Sequence, residues 1–215
     1  MTPPPRLAPL LAQYDDATGR LLTRLRGPEH DSGDGVPVPV EPLTDHERLW
    51  EPVPGAWSVR RHADGPGPGA TALVGAGEWG RDGGRPHPYP PPVTTIGWRL
   101  HHVTELLLGR ADWTAGARRL TEEEIVVPTD AATAVADLAG GVDAWREALT
   151  SVDDAALDEV GRSAYPYGND PEVPFLDVVW RVNQEVVHHG AEIALLRDLY
   201  GATGGGTLVG TYGAS

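Results

Sequence analysis

The 215-residue chain contains no cysteine and no lysine. Without cysteine there are no disulfides, no thiolate nucleophile of the chain's own, and no Cys-ligated zinc or iron–sulfur site. Without lysine a Schiff-base or P-loop mechanism is excluded, and all 17 basic residues are arginine. Phenylalanine and methionine each occur once. No apolar run approaches the roughly 20 residues that cross a bilayer, and Met1 to Arg6 lack a basic stretch followed by an apolar one. The chain therefore reads as cytoplasmic. Positive charge is also scarce: 31 acidic residues leave a net charge of −14. Such a surface repels phosphate backbones and anionic membranes, so neither nucleic acid nor membrane is an expected partner.

What is abundant is glycine, proline and helical periodicity. Apolar residues recur at steps of three and four over residues 7–26, from Thr94 or Thr95 to about Arg110, over 130–149, and from Phe175 to about Tyr200. Thr44 with Glu47 three residues later forms a capping-box pattern opening a short turn through Trp50. Residues 28–42, 111–128 and 151–173 read as connections. Residues 52–92 are rich in Pro and Gly with no helical stripe; within them 56–60 and 72–74 are expected to pair as a small β-hairpin. Four long amphipathic helices without a large sheet predict an all-α fold, a four-helix bundle forming one domain over residues 1–200. Residues 201–215 form a Gly-rich tail expected to be loosely ordered. An outer helix face suits a homodimer.

The last helix carries a conflict. Glu185 and His189, one turn apart, interrupt the stripe of Val182, Ile193 and Leu196, and are expected to point into the bundle. A carboxylate buried without a partner is costly, so something positive must lie nearby. His102, on the face of Trp98 and Leu106, is the complement if the two helices pack together. Two imidazoles and one carboxylate suit zinc, ferrous iron or nickel. A pair of core histidines satisfied by Glu185 fits the same pattern. His101 and His188 lie about 100° around their helices from these positions and are expected to face solvent or a substrate.

Three segments together resemble the DinB-like superfamily. Residues 95–103 (TIGWRLHHV) resemble its second helix, residues 183–200 (NQEVVHHGAEIALLRDLY) its last core helix, and residues 43–60 (LTDHERLWEPVPGAWSVR) the lead-in of an actinobacterial branch. The resemblance covers roughly residues 7 to 200. It implies a four-helix bundle of the DinB/YfiT-like type with a metal at its core. The usual ligands there are three histidines; the matching positions here are His102, Glu185 and His189. Glu185 stands where the first histidine of the pair is usual, which keeps a ligand and lowers the site's charge by one.

The resemblance also implies enzymes that handle thiols. An S-transferase is the leading expectation: zinc, or else iron or nickel, activates a low-molecular-weight thiol such as mycothiol for attack on an electrophilic small molecule. Arg99 and Arg197 are candidates to bind a carboxylate of thiol or substrate, and Trp57 to wall the pocket. A metal-dependent hydrolase is the alternative, with His101, His188 or Glu192 as candidate base. A non-catalytic metal- or ligand-binding protein is a third reading, with His46, His62 or His87 closing the site.

Overall fold

The computed structural model describes residues 3–27, 41–164 and 172–206; the expected loop over 28–42 and the tail over 201–215 lie largely outside the described residues. Among the described residues, five α-helices and three short strands follow in the order α1 (Ala8–Arg26), α2 (Asp45–Leu49), β1 (Val59–Arg61), β2 (Ala72–Val74), β3 (Trp79–Gly83), α3 (Ile96–Ala115), α4 (Ala131–Thr150) and α5 (Phe175–Thr203). No described helix is long and apolar enough to cross a membrane.

Local chemistry starts and stops the helices. Thr95 accepts the backbone N–H of Trp98 at the head of α3, and Asp130 that of Thr133 at the head of α4. Thr44 accepts from Glu47 at α2, as its spacing predicts. Gly27 ends α1 at φ +84°; a side chain there would lie 3.0 Å from the nitrogen of Pro42. Helix α3 runs five residues past the expected end. In its last turn Asp112 accepts the backbone N–H groups of Ala117, Arg119 and Leu120 and folds the following chain back on the helix.

Helix α3 packs against α4 and α5, and α1 against α5 and α4. The core between them contains Leu11, Tyr14, Leu100, Val103, Leu107, Leu138, Trp145, Leu149, Val178, Val182 and Ile193. The fold is mostly helical, as its periodicity predicts, but the strands depart from expectation. β1 and β2 do not form a hairpin with each other; both pair antiparallel with β3, in the order β1-β3-β2. The reason is the composition of β3 (WGRDG), which has neither alternation nor branched residues. Its inward side chains are charged and satisfied by partners distant in sequence. Asp82 is fully buried: its carboxylate accepts the backbone N–H groups of Ser58 and Gly67 and the Nε–H of Arg60. Its carbonyl accepts the indole N–H of Trp98 at 2.8 Å, fastening the sheet to α3.

Candidate metal centre

Helix α3 delivers His102, and α5 delivers Glu185 and His189 from successive turns. One ligand atom from each of the three lies within 4.8 Å of the others. The two imidazoles meet edge to face with centroids 4.9 Å apart, and Nε2 of His189 is 3.2 Å from Oε2 of Glu185. The hydrogen bond from His189 holds the Glu185 carboxyl below its ordinary range despite partial burial. Burial holds His189 toward its neutral form, reinforced by His102 and Arg99 and opposed by Glu185. A neutral imidazole at His189 and an ionised carboxylate at Glu185 are the protonation states a cation requires.

The site sits at the rim of the helices rather than inside them. The Glu185 side chain is 44% exposed, against the expectation that it points into the bundle; His189 is 10% exposed and His102 29%. Half-exposure resolves the conflict of a carboxylate on an apolar stripe, because water offsets the desolvation cost. It also leaves an approach to the donors. Beside His102 opens a cavity of about 510 Å³, walled by Trp57 and Trp98 and by β2–β3, with Arg81, Glu105 and Glu122 among its lining residues. Trp98 stacks on His102 at 5.1 Å.

Each imidazole has a carboxylate at its other nitrogen. His102 Nδ1 is 3.1 Å from Oε1 of Glu105, and His189 Nδ1 is 2.8 Å from Oε2 of Glu192, both at i,i+3. Arg81 pairs with Glu105 at 2.8 Å, and Arg99 pairs with Glu192. Burial alone would raise the Glu105 carboxyl, but Arg81 and His102 hold it below its ordinary range. Two imidazoles and a carboxylate, each imidazole with Nδ1 against a second carboxylate and His189 with Nε2 beside Glu185, fit a divalent cation.

The remaining sequence candidates fall in different places. Trp57 is at the cavity, 6.5 Å from Trp98. Arg99 lies beside the cluster, engaged with Glu192 and 3.1 Å from His189. Arg197 is two turns past His189, about 12 Å along the helix. It is buried, forks onto Glu47 at 2.7 and 3.0 Å, and donates to the carbonyls of Arg24 and Glu41. His101 is buried rather than facing solvent. Neither of its ring nitrogens finds a hydrogen-bond partner among the described residues, and burial lowers its pKa to about 4. His188 is exposed, stacked on His189 and 3.2 Å from Glu192. Of the loop histidines, His46 bonds Tyr200, His62 sits in an exposed 3-10 turn, and His87 lines the cavity against Trp57. Sequence reasoning missed Arg81 and Glu105. The signal for Glu105 was present as a His-x-x-Glu spacing that recurs at His189 and Glu192.

The family model that matches this chain is that of the DinB superfamily, over residues 84–193. The chain belongs to the DinB superfamily. No curated protein and no solved structure matches it. The matched DinB segment contains α3, α4 and α5 as far as Ile193, and with them all three donors. DinB proteins are metal-binding, in keeping with the donor set here. The strands, and with them Arg81, lie ahead of the matched segment.

Proposed function

We propose that this DinB protein is a divalent-metal-dependent enzyme, its four long helices forming a four-helix bundle and its cation held by His102, Glu185 and His189. We propose further that it is an S-transferase joining a low-molecular-weight thiol such as mycothiol to an electrophilic small molecule. The observation that carries the reading is the convergence of three donors from two helices, one of which, His102, lines a 510 Å³ cavity with aromatic walls. Zinc is the first choice, and iron and nickel suit the same donors. When bound, the cation supplies Lewis acidity that lowers the pKa of a thiol near it.

The chain's own residues do the rest. Glu185 gives the site one negative charge against the cation's two. Trp57 and Trp98 offer flat apolar walls to the organic part of a substrate and displace water from the side of His102. With no cysteine in the chain, the sulfur nucleophile comes from outside. Of the three candidates for proton handling, His101 is sealed in the core and Glu192 is paired with Arg99. His188, whose ring is exposed, remains to carry the proton released by the thiol. The reading places the protein in the cytoplasm, where small thiols are kept reduced.

The test is metal analysis of purified protein, followed by incubation with an electrophile with and without mycothiol. Thiol consumption that needs both the metal and His189 supports the transferase. Metal-dependent turnover without thiol replaces it with a hydrolase. Wild-type protein that takes up no divalent metal removes the premise.

A further inference from the structure

Two groups of side chains near α5 have the geometry of cation ligands, and they share one imidazole. His102, Glu185 and His189 form the first; His188, His189 and Glu192 form the second. His189 Nε2 lies on the Glu185 side and Nδ1 on the Glu192 side. A neutral imidazole has one lone pair for a metal and one N–H, so Glu192 is either a ligand or the acceptor of that N–H.

The surroundings of Glu192 decide between these roles. Arg99 is salt-bridged to it, and a guanidinium against a carboxylate opposes a second cation there. No arginine is paired with Glu185 among the described residues; its partner is His189 Nε2. The second group comes from one turn of one helix with His188 exposed, whereas the first draws on two helices and opens beside the cavity. The arrangement at Glu192 also recurs at the other imidazole. Arg81 from β3 holds Glu105, which faces His102 Nδ1; Arg99 from α3 holds Glu192, which faces His189 Nδ1.

We infer that Glu105 and Glu192 are positioning residues, each accepting the Nδ1–H of one imidazole so that Nε2 is presented to the cation, with Arg81 and Arg99 holding the two carboxylates in place. The inference rests on the metal reading above. It matters most at His189, where a carboxylate sits at both nitrogens and the guanidinium of Arg99, a donor only, lies 3.1 Å from Nδ1 and competes for its lone pair; Glu192 is the nearer at 2.8 Å. A proton on Nε2 donated to Glu185 would block the ligand atom; acceptance by Glu192 puts the proton on Nδ1. At His102 the chain of contacts starts in the sheet, which gives the 52–92 segment a task at the site beyond walling the cavity.

The experiment measures zinc affinity by competition with a chromophoric chelator, for the full chain and for Glu192→Gln, Glu105→Gln and Glu185→Ala. Thermal melts of the metal-free proteins check folding. Because Glu105 is buried, Glu192→Gln is the deciding variant. Its zinc affinity is expected to fall about 10- to 100-fold with an unchanged melt, the range for lost outer partners of ligating histidines. Long-range ¹H–¹⁵N spectra of the zinc-loaded wild type are expected to show both His102 and His189 protonated at Nδ1, a signature that a merely structural role for Glu192 does not set. Unchanged affinity in Glu192→Gln overturns the inference and leaves the metal reading standing. Abolished binding in Glu192→Gln with binding retained in Glu185→Ala makes Glu192 a ligand and overturns it as well. Nε2-protonated His189 in the zinc form does the same. Wild type that binds no zinc or other divalent metal brings down the metal reading itself.

Discussion

The backbone carbonyl of Asp82 accepts the indole N–H of Trp98 at 2.8 Å, one helical turn before His102. The sheet is thereby fixed to the helix that carries the first donor, and Asp82 organises the sheet through its carboxylate at the same time.

Asp82→Ala leaves the buried N–H of Ser58 and the half-buried N–H of Gly67 without their acceptor and takes one carboxylate from half-buried Arg60, which keeps Glu51 and the Ala56 carbonyl. Removing one partner of a fully buried ion pair costs about 3–5 kcal/mol, and with Arg60 a quarter exposed the loss here belongs at the lower end of that range. Urea unfolding should show a loss of that size, and metal affinity should fall with it because Trp98 and Arg81 lose their support. A loss below about 1 kcal/mol would show that the sheet is held by other contacts.

Arg197 was a candidate substrate-binding residue, and its partners assign it a structural task. It joins α5 to α2 through a bidentate contact with Glu47. Arg197→Met should destabilise the protein by about 3–5 kcal/mol, since it strands a buried carboxylate. Zinc affinity of the folded fraction should stay at the wild-type level. An intact melt with impaired substrate binding would restore the substrate role.

Removing the cation should be visible in the melt. A ligand at 100 times its Kd stabilises by about 2.7 kcal/mol, and a domain of this size shifts by roughly 2–4 °C per kcal/mol, so saturating zinc should raise Tm by about 5–11 °C. A chelator should reverse the shift, and His189→Ala should show none. A shift retained in His189→Ala would move the ion elsewhere.

Asp112 gives a pH signature remote from the site. Burial opposes its ionised form, but the backbone N–H groups of Leu120, Arg119 and Ala117 together hold its pKa below the ordinary aspartate value. A carboxyl depressed in the folded state contributes stability that is present above its unfolded pKa of about 3.9 and is lost as pH falls through the folded value. Asp112→Asn should therefore flatten the acid end of the stability profile relative to wild type while lowering stability at neutral pH. Parallel profiles below pH 4 would show that the turn after α3 does not depend on that charge.

The long helices were legible because burying an apolar stripe is a periodic demand, and their ends agree with the observed ones except where α3 and α5 run on. His102, Glu185 and His189 were legible as polar interruptions of such stripes. Strand β3 was not, since its buried side chains, Arg81 and Asp82, are polar and take their partners from α3 and from Ser58, Arg60 and Gly67. Arg197 and Arg99 looked available because pairing across about 90 to 150 residues leaves no local trace. Glu105 and Glu192 stand three residues after their histidines in plain sight, but an acidic residue on a helix reads as a solvated face until a neighbouring element supplies the arginine. The half-exposure of Glu185 depends on where the helices end their contact, which periodicity does not encode.

The stacking of Trp98 on His102 makes α3 optically self-reporting. With a cation held at His102 as proposed, an excited indole 5.1 Å from that ring loses its emission to an open-shell ion such as cobalt or nickel, whereas closed-shell zinc leaves it bright. Six other tryptophans share the spectrum, so the occupancy signal is the fraction of fluorescence that disappears in a Trp98→Phe subtraction. The ring that shapes the cavity wall is thus also the chromophore through which loading of the site can be followed in real time.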